Sequence, residues 1–449
     1  MQTNDPLRII VLGAGISGLA TTWYLTKAYP SAEIIVLEAS NRAGGLLHTD
    51  HTAGFHFEKG PRTFRISQCS ALLQLALDLG LKEQILCSAP PSSHRYLWFA
   101  GALKRLPHHL LSFLGSPLTK GCIPAFLSEW KRPVVHGDET VWDFVSRRFN
   151  RDVAMRLFDP LVVGIFGGDA RKISVRACFP TLKLWEEKYG SVTKGFFKEL
   201  RRSVKEIQGF PAQAIFSLRG GMEELVRALL TKTPAQYLWH REAVSVECKE
   251  RKVYVRTKEE TFRGDALFCA LPMGEAARLF SQNLASFEIM YQQTPQTSMA
   301  IVNVGYNDAL LSVNGFGYLI PTYAKEEILG VIFDSQMIPE HNKRAKETRL
   351  TVYIEDKGGE DDFYREAALR GLKRHLGIVR TPTAISLKRV RDAFPQYEVG
   401  HLEKMAALLQ KFPTVYPRCF LVGNYLNGIG VNACILRAEQ SVKTSQTML

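Results

Sequence analysis

Apolar positions near the start of the chain fall into two short runs with a helical pattern between them. Residues 8–12 and 33–37 are short apolar runs of the buried-strand type, and apolar residues recur at helical spacing through residues 17–28. Near the other end, residues 419–422 form another apolar run, which a glycine-bearing loop and a helical pattern follow. The pattern therefore predicts a strand, a turn and a helix at both ends of the chain.

Three glycines lie where the first predicted strand passes into the helix. Gly13 permits a tight turn, Gly15 lets the backbone approach a pyrophosphate, and Gly18 lets the helix pack closely on the strand. A phosphate at the start of this helix would meet free N–H groups and the positive end of the helix dipole. Glu38 follows the second strand and is placed to accept hydrogen bonds from a ribose. The unit predicts a dinucleotide site without separating FAD from NAD.

Length and composition limit the class of protein. A chain of 449 residues with 46% hydrophobic content is expected to divide into two or three domains. Its eight cysteines are scattered singly without zinc-type spacing, so we expect reduced thiols in a cytosolic protein and no structural metal. The polar opening residues predict no secretion signal. Histidines, prolines and a lysine interrupt the most apolar long segment, residues 106–130, so it is not expected to span a bilayer.

The positive charge is concentrated in one quarter of the chain. The formal net charge is +13, and residues 92–205 carry +10 of it, with twenty Lys and Arg against ten Asp and Glu. A basic segment rich in aromatic residues suits an anionic lipid surface or an acidic ligand, and a well-solvated helical domain is the alternative. No nucleic-acid motif accompanies the charge, so nucleic acid is not an expected partner.

Two glycine-rich segments resemble those of flavoproteins. The sequence NRAGGLLHT, residues 41–49, adds an arginine and a second Gly-Gly turn after the acid, and this resembles the amine oxidase and carotenoid desaturase superfamily. Residues 417–442 are similar to the C-terminal FAD segment of that superfamily. If both ends hold one cofactor, the domain that binds it is discontinuous and the substrate part is inserted in the middle.

The resemblance implies FAD bound without a covalent link. It places Gly423 near the phosphates, Val431 and Asn432 beside the isoalloxazine ring, and the backbone of Val244 against the adenine. The cofactor-binding residues that it implies are Gly13, Gly15, Ile16, Ser17, Gly18, Glu38, Ala39, Arg42, Gly44, Gly45, Gly60, Val244, Gly423, Val431 and Asn432.

One motif narrows the resemblance. The sequence GIFGGDARKIS, residues 164–174, resembles a signature of the protoporphyrinogen oxidase family, and segments similar to that family follow in the same order up to about residue 441. The family implies FAD-dependent removal of six hydrogens from a porphyrinogen in haem biosynthesis, with oxygen or another electron acceptor. Hydride transfer to a flavin requires position and a dry pocket more than a strong base, so no dedicated acid or base is expected.

The resemblance also implies a set of substrate-binding residues. These are Phe316, Gly317, Leu319, Ile328 and Tyr353. From the residues alone we would interpret them as core positions of strands. Glu355 and Asp356 stand where family members usually carry Gly-Gly, and Ala433 stands where an acid is common; we interpret these differences as divergence rather than loss of activity.

Two arginines lie three residues apart in FEKGPRTFR, residues 57–65. Backbone donors of the Gly13 turn can serve the pyrophosphate, so Arg62 and Arg65 are available for another anion. A guanidinium matches a carboxylate with two parallel hydrogen bonds, and the resemblance implies that Arg62 binds a substrate propionate. Arg65 is predicted to bind substrate as well, with an ion pair to Glu58 or a surface role as its alternatives.

The predicted architecture is an α/β fold with three domains. A discontinuous Rossmann-like FAD-binding domain comprises residues 1–87, 201–280 and 395–449. A helical membrane-associated domain, residues 88–200, is inserted, and a mixed-sheet α+β substrate-binding domain comprises residues 281–394. The aromatic residues expected at the membrane interface are Trp98, Phe99, Phe113, Phe126 and Trp130.

This architecture predicts a cytoplasmic enzyme that is peripherally attached to a membrane. A second copy of the chain or a neighbouring enzyme of the haem pathway is a candidate protein partner. Three alternative functions stay open. They are coproporphyrinogen III oxidation, general amine oxidation, and non-enzymatic binding on the same fold.

Overall fold

The computed structural model describes residues 6–88, 94–107, 110–202 and 205–449. Its strands are β1 Arg8–Leu12, β2 Glu33–Leu37, β3 Thr49–Asp50, β4 Phe57–Glu58, β5 Phe64–Arg65, β6 Ile85–Cys87, β7 Arg95–Phe99, β8 Ala102–Arg105, β9 Glu206–Ile207, β10 Phe210–Pro211, β11 Ile215–Leu218, β12 Gln236–Leu238, β13 Ser245–Lys249, β14 Lys252–Arg256, β15 Thr261–Gly264, β16 Ala266–Cys269, β17 Gln296–Tyr306, β18 Gly317–Leu319, β19 Gly330–Ile332, β20 Thr348–Glu355, β21 Ala384–Pro395 and β22 Cys419–Leu421.

The helices alternate with these strands except in one long helical stretch. They are α1 Ile16–Ala28, α2 Ser70–Asp78, α3 Leu110–Gly115, α4 Ile123–Ser128, α5 Val141–Arg148, α6 Arg151–Val153, α7 Asp159–Phe166, α8 Val175–Cys178, α9 Pro180–Tyr189, α10 Val192–Arg202, α11 Glu223–Lys232, α12 Met273–Phe280, α13 Ala285–Gln292, α14 Asp334–Met337, α15 Asp361–Leu376, α16 His401–Val415 and α17 Val431–Ser445.

A parallel sheet of five strands, in the order β12-β2-β1-β16-β22, joins the two ends of the chain. Helices α1 and α17 pack on one face, and α12, α16 and the antiparallel ribbon β13-β14-β15 cover the other. Because both faces are buried, these strands are continuously apolar rather than alternating. The first and last predicted strands thus lie in one sheet, as a discontinuous domain requires.

A second, mixed sheet has seven strands in the order β21-β17-β20-β19-β18-β7-β8. Strand β7 pairs with β18 in parallel, and Arg95 lies opposite Gly317. Residues 95–105 therefore belong to this sheet and not to the helical domain in which they were predicted. The pairing joins segments that are far apart in sequence, so no local pattern could indicate it.

Helices α3 to α10 form a separate unit with its own apolar core. Inside it, the buried Arg148 donates from Nε to Glu129 at 2.7 Å and lies 3.5 Å from a carboxylate oxygen of Glu186. Glu129 also accepts from the backbone N–H of Val192 at 3.0 Å. Buried charges are tolerated only when they are paired in this way, so the network fixes α5, α9 and the start of α10 relative to one another.

Of the five aromatic residues predicted at the membrane interface, one is buried and three are half-buried. Trp98 is only 8% exposed in the core of the seven-stranded sheet, and Phe126 packs between Phe113 and Phe149. Phe99 is half-buried under Arg156, so of the five predicted interfacial residues Trp130 alone is well exposed, at 52%. Among the described residues, no helix has both the length and the apolar character to cross a bilayer.

Candidate active site

The turn after β1 has the geometry that a dinucleotide requires. Gly13 has a positive φ of 90°, and its N–H donates to Leu37 O at 2.8 Å. A Cβ on Gly18 would lie 1.8 Å from Gly13 O, so only glycine allows this approach of helix and turn. A Cβ on Gly15 would meet no atom within 4 Å, so the space in front of Ile16 and Ser17, the first residues of α1, is open.

Glu38 is fixed at the edge of this turn. One carboxylate oxygen accepts from Ala14 N at 2.8 Å, and the other accepts from Ser40 N at 2.9 Å. Ala39, which lies between Glu38 and Ser40 in the sequence, is exposed. The carboxylate is therefore oriented by the backbone next to the open space, where a ribose hydroxyl could donate to it.

The second glycine turn packs directly against the first. Gly44 donates from its N–H to Ala14 O at 2.8 Å and pairs with Gly15 in a parallel bridge. The Arg42 guanidinium donates to Ala43 O at 2.8 Å and to Gly45 O at 2.5 Å. Arg42 thus holds the turn by its side chain.

The C-terminal segment brings a second helix start to the site. Helix α17 begins after Gly430, which has no side-chain cap and around which a Cβ would meet nothing within 4 Å. The side-chain oxygen of Asn432 accepts from Ala71 N and Leu72 N, both at 3.0 Å, so it caps α2. The segment can therefore contact a cofactor through Val431 and through the backbone at the start of α17.

Three further predicted cofactor residues lie on connecting segments. A Cβ on Gly60 would come within 2.0 Å of Leu46 O, so glycine is required where the segment after β4 approaches the second glycine turn. The ring of Tyr425 packs against Gly423. Val244 donates its N–H to Arg256 O at 2.8 Å, so its backbone is held against the end of β14.

These observations fit a dinucleotide cofactor. Helices α1 and α17 both start at a glycine with open space in front and no capping side chain. Uncapped helix starts bind anions through their free N–H groups. The residues at the two ends of the chain could therefore hold the phosphates and the ring system of one extended molecule.

A cavity of about 860 Å³ adjoins this region, and three units line it. The N-terminal unit contributes Leu46, residues 59–63, Arg65 and Gln68. The helical unit contributes Leu157, residues of α7, Gly167 and Phe179, and the seven-stranded sheet with its adjoining segments contributes the remainder. The walls are mostly aliphatic and aromatic, with Leu161, Phe166 and Leu329 among them. Such a cavity can enclose a flat apolar molecule and exclude water from it.

Most of the predicted substrate residues line this cavity. Phe316, Gly317, Leu319 and Tyr353 lie on its wall. Ile328 does not, because it is buried in the core between the sheet and α15 and packs against Gly371. The following residue, Leu329, faces the cavity instead, as expected when successive residues of an extended segment point to opposite sides.

Arg62 lies at the cavity but is not free for a substrate carboxylate. It is only 5% exposed, and its guanidinium pairs with Asp334 at 2.6 Å and donates to Tyr353 Oη at 3.0 Å. It also donates to Thr351 Oγ1 and to Glu58 O. The prediction of a free clamp is therefore wrong, because Asp334 already supplies the carboxylate.

Arg65 and Arg95 are the unpaired guanidinium groups of the cavity. Arg65 donates to the backbone and side-chain oxygens of Gln213, each at 3.0 Å, and does not contact Glu58. Arg95 lies over the ring of Phe316, 4.9 Å from its centroid. Desolvation of the Arg95 guanidinium and the nearby charge of Arg65 lower the pKa of Arg95. In the described parts of the chain neither guanidinium pairs with a carboxylate, so both are available to an anion.

The sequence prediction missed Arg95. It lies in the segment assigned to the helical domain and reaches the cavity only because β7 pairs with β18. The sole sequence signal was an arginine among aromatic residues in a basic segment, which equally fits a lipid surface.

The sequence profile of the flavin-containing amine oxidoreductases matches residues 16–443. The chain belongs to this family. It is 29% identical to protoporphyrinogen oxidase of Homo sapiens, over 96% of this chain and 97% of that protein. It is 25% identical to coproporphyrinogen III oxidase of Staphylococcus aureus, over 96% and 97% respectively. A solved structure from Exiguobacterium shares its fold, with a TM-score of 0.86 and 21% identity over 99% of this chain and 100% of that one.

Family membership confirms three predictions for this flavoprotein. It is an FAD-dependent oxidoreductase with the α/β fold of its family, and its dinucleotide site serves FAD. The non-enzymatic alternative has no support.

The unusual pair Glu355 and Asp356 leaves the strand next to Tyr353 intact. Strand β20 continues through Glu355, and Arg389 donates to the two oxygens of Asp356 at 2.7 and 2.8 Å. These bonds lower the pKa of Asp356. At the other unusual position, the methyl group of Ala433 fills the space in front of Gly428.

Proposed function

We propose that this flavoprotein oxidises protoporphyrinogen IX to protoporphyrin IX in haem biosynthesis, with oxygen as the final electron acceptor. The observation that carries the proposal is an apolar cavity with two unpaired guanidinium groups, Arg65 and Arg95, beside the cofactor turns. An apolar macrocycle with propionate arms matches both features. The similarity to the human protoporphyrinogen oxidase over nearly the whole chain supports the assignment.

The residues of the cavity position the substrate and keep it dry. FAD, when bound, supplies a two-electron acceptor for a hydride from a carbon of the substrate. Phe316 and Leu319 offer apolar surface to the macrocycle, and Arg65 and Arg95 orient it through its carboxylates. Among the described lining residues there is no His, Asp or Glu. Position and exclusion of water are thus the contributions of this chain.

The number of unpaired cations favours protoporphyrinogen over coproporphyrinogen. Four basic residues line the cavity, but Lys59 pairs with Asp50 at 2.7 Å and Arg62 pairs with Asp334. Arg65 and Arg95 remain, and two guanidinium groups match two propionates. Coproporphyrinogen carries four, so two of its carboxylates would enter the cavity without a cationic partner.

Porphyrin fluorescence tests this function directly. The purified holoprotein is incubated with each porphyrinogen in turn, and flavin bleaching is followed without oxygen. We expect bleaching and porphyrin formation with protoporphyrinogen, and a kcat/KM at least about tenfold lower with coproporphyrinogen. If neither compound bleaches the flavin, the proposal fails; if coproporphyrinogen is preferred, the alternative substrate replaces it.

The two arginines supply a second test. Arg65→Ala or Arg95→Ala should raise KM roughly tenfold or more while kcat stays within a few-fold, because each removes a charge-assisted hydrogen bond. Arg380→Ala, which changes an exposed arginine outside the cavity, is the control. An unchanged KM in both cavity variants would contradict the assigned role.

We further propose that the helical unit attaches the enzyme peripherally to a membrane at its cytoplasmic side. We define the apolar patch as Leu127, Trp130, Phe196, Phe197 and Leu200, which are all well exposed. Lys131 and Lys194 lie over the Trp130 ring at 5.3 and 5.5 Å, so cationic groups border the apolar surface. Exposed aromatic residues beside lysines suit an interface with anionic headgroups.

Vesicle sedimentation tests the membrane proposal. Phe196→Ser with Phe197→Ser should abolish most binding to vesicles that contain an anionic phospholipid. Phe363→Ser is the matched control, because Phe363 is 46% exposed and Phe196 is 48% exposed, but Phe363 lies on α15. Equal binding of the double variant and the wild type would overturn the proposal.

Light scattering of the purified protein would test whether two copies of the chain associate. Co-purification would test for a partner enzyme of the haem pathway.

A further inference from the structure

A short segment after β21 connects the helical unit to the loop that precedes α17. This segment, residues 396–401, has the sequence QYEVGH, and the loop, residues 423–430, has the sequence GNYLNGIG. We call them the clasp and the flavin loop. The flavin loop carries Gly423 and ends at Gly430, the open helix start of the cofactor site. Its position therefore decides where the N–H groups of α17 lie.

Two buried rings of the clasp hold the flavin loop by its backbone. The hydroxyl of Tyr397 accepts from Gly428 N at 2.9 Å and donates to Asn424 O. The Nε2 of His401 donates to Tyr425 O at 2.8 Å. Three backbone groups spread along the loop are thus fixed by two side chains.

The two rings also support each other. Tyr397 and His401 are stacked, with centroids 4.0 Å apart and planes 11° apart. Burial lowers the pKa of His401 to about 4, so the ring is neutral near pH 7. A neutral imidazole with Nε2 bonded to a carbonyl has a defined tautomer, which keeps the ring in one orientation.

On its other side, the clasp is bonded to the signature loop, residues 166–174 of the helical unit. Ser174 donates its N–H to Tyr397 O at 2.7 Å, and Ile173 pairs with Glu398 in an antiparallel bridge. The side-chain amide of Gln396 donates to Phe166 O at 2.9 Å. The signature loop therefore contacts the same residue, Tyr397, whose hydroxyl holds the flavin loop.

Gly168 leaves room for the side-chain amide of Gln396 where the signature loop meets the clasp. A Cβ on Gly168 would lie 2.0 Å from Oε1 and 3.1 Å from Cδ of Gln396. This close packing gives a physical reason for glycine at this position of GIFGGDARKIS. It does not involve the cofactor or the cavity directly.

We infer that Tyr397 and His401 are positioning residues for FAD, and that the signature loop holds them in place. The helical unit thereby contributes to cofactor binding through Tyr397 and His401. This inference concerns the flavin site alone, so it stands or falls independently of the porphyrinogen that the enzyme oxidises.

FAD affinity of the apoprotein tests the inference, measured by quenching of flavin fluorescence on titration. Tyr397→Phe keeps the stacked ring and removes only the hydroxyl, which leaves Gly428 N and Asn424 O without this partner. We expect the Kd for FAD to rise roughly tenfold or more. Tyr416→Phe is the matched control, since the hydroxyl of this buried tyrosine donates to Phe280 O at 3.0 Å in the same domain. It should leave the Kd within about twofold even if it lowers Tm.

A second pair of variants tests the link to the helical unit. Gly168→Ala should raise the Kd for FAD several-fold by displacing Gln396. Gly195→Ala is the control, because it places a crowded methyl group, 2.4 Å from Trp185 Cβ, elsewhere in the same unit. It should not raise the Kd for FAD. An unchanged Kd in Tyr397→Phe, or an equal rise in Tyr416→Phe, would overturn the positioning role. Equal effects of Gly168→Ala and Gly195→Ala would overturn the link.

Discussion

The guanidinium of Arg62 is enclosed by groups from two segments that are far apart in the sequence. Glu58 O comes from its own segment, whereas Asp334 is the first residue of α14, and Thr351 and Tyr353 lie on β20. Both members of the ion pair are largely buried. A pair of this kind fixes two segments together, and removing one partner leaves an uncompensated charge out of water.

Arg62→Ala should therefore act on stability more than on substrate affinity. We expect a loss of about 3–5 kcal/mol in the free energy of unfolding, because Asp334 is left without its partner. Urea denaturation of the apoprotein measures the loss. Arg8→Ala is the control, since the Arg8–Glu33 pair at 2.8 Å is exposed and should contribute at most about 1 kcal/mol. Equal losses in the two variants would contradict this account of Arg62.

A stacked pair of buried histidines makes stability depend on pH. His56 and His341 have ring centroids 3.9 Å apart, and burial lowers the pKa of each to about 3. The unfolded chain binds protons near pH 6.5, but the folded chain does not until pH approaches 3. The free energy of unfolding should consequently fall as pH decreases from 6.5 towards 3, by up to about 1.4 kcal/mol per pH unit for each histidine.

Urea denaturation at several pH values checks this slope. His56→Gln with His341→Gln should flatten the dependence between pH 6.5 and 4, whatever its effect on absolute stability. His136→Gln, at an exposed position, should leave the slope unchanged. A slope that is as steep in the double variant as in the wild type would show that other groups cause it.

At the scale of elements, the local pattern predicted what depends on neighbours in sequence. The β1 turn, helix α1 and the C-terminal strand and helix lie where glycine spacing and apolar runs placed them. The pattern failed for β7, which pairs with β18 across a long stretch of chain, and therefore missed Arg95. Pairing between distant strands depends on the whole fold, so ion partners and cavity walls at such junctions cannot be predicted from local spacing.

Helix α7 and strand β18 meet at a glycine, and this contact controls the shape of the cavity. A Cβ on Gly164 would lie 2.4 Å from Cδ2 of Leu319, whose side chain lines the cavity. Gly164→Ala should push Leu319 into the cavity and raise KM several-fold, with Tm lowered by only a few degrees, because a leucine tip can move more easily than backbone. In a Leu319→Ala background, Gly164→Ala should leave KM equal to that of Leu319→Ala alone, because the crowded leucine tip is absent. A KM that Gly164→Ala leaves unchanged would contradict this packing.

For the whole molecule, two cores that are distant in sequence meet around one cavity. The parallel sheet holds the cofactor segments, the seven-stranded sheet supplies one wall, and the helical unit supplies another. The predicted domain boundaries assign residues 95–105 to the helical domain, whereas β7 and β8 within this range belong to the seven-stranded sheet. Composition reports how many cores a chain can build, whereas the sheet in which an edge strand lies depends on its partners.

The charge of the whole molecule predicts how membrane binding responds to salt. Residues 92–205 carry +10 of the net +13, so the rest of the chain carries only +3. Binding to anionic vesicles should weaken as salt rises from about 0.05 to about 0.5 M, because screening shortens the reach of these charges. It should not vanish, because burial of the apolar patch is insensitive to screening. Lys194→Glu with Lys198→Glu should remove the salt-dependent part of vesicle binding. Phe196→Ser with Phe197→Ser should remove the part that persists at high salt. Binding that is independent of salt in the wild type would show that charge does not direct this surface to lipid.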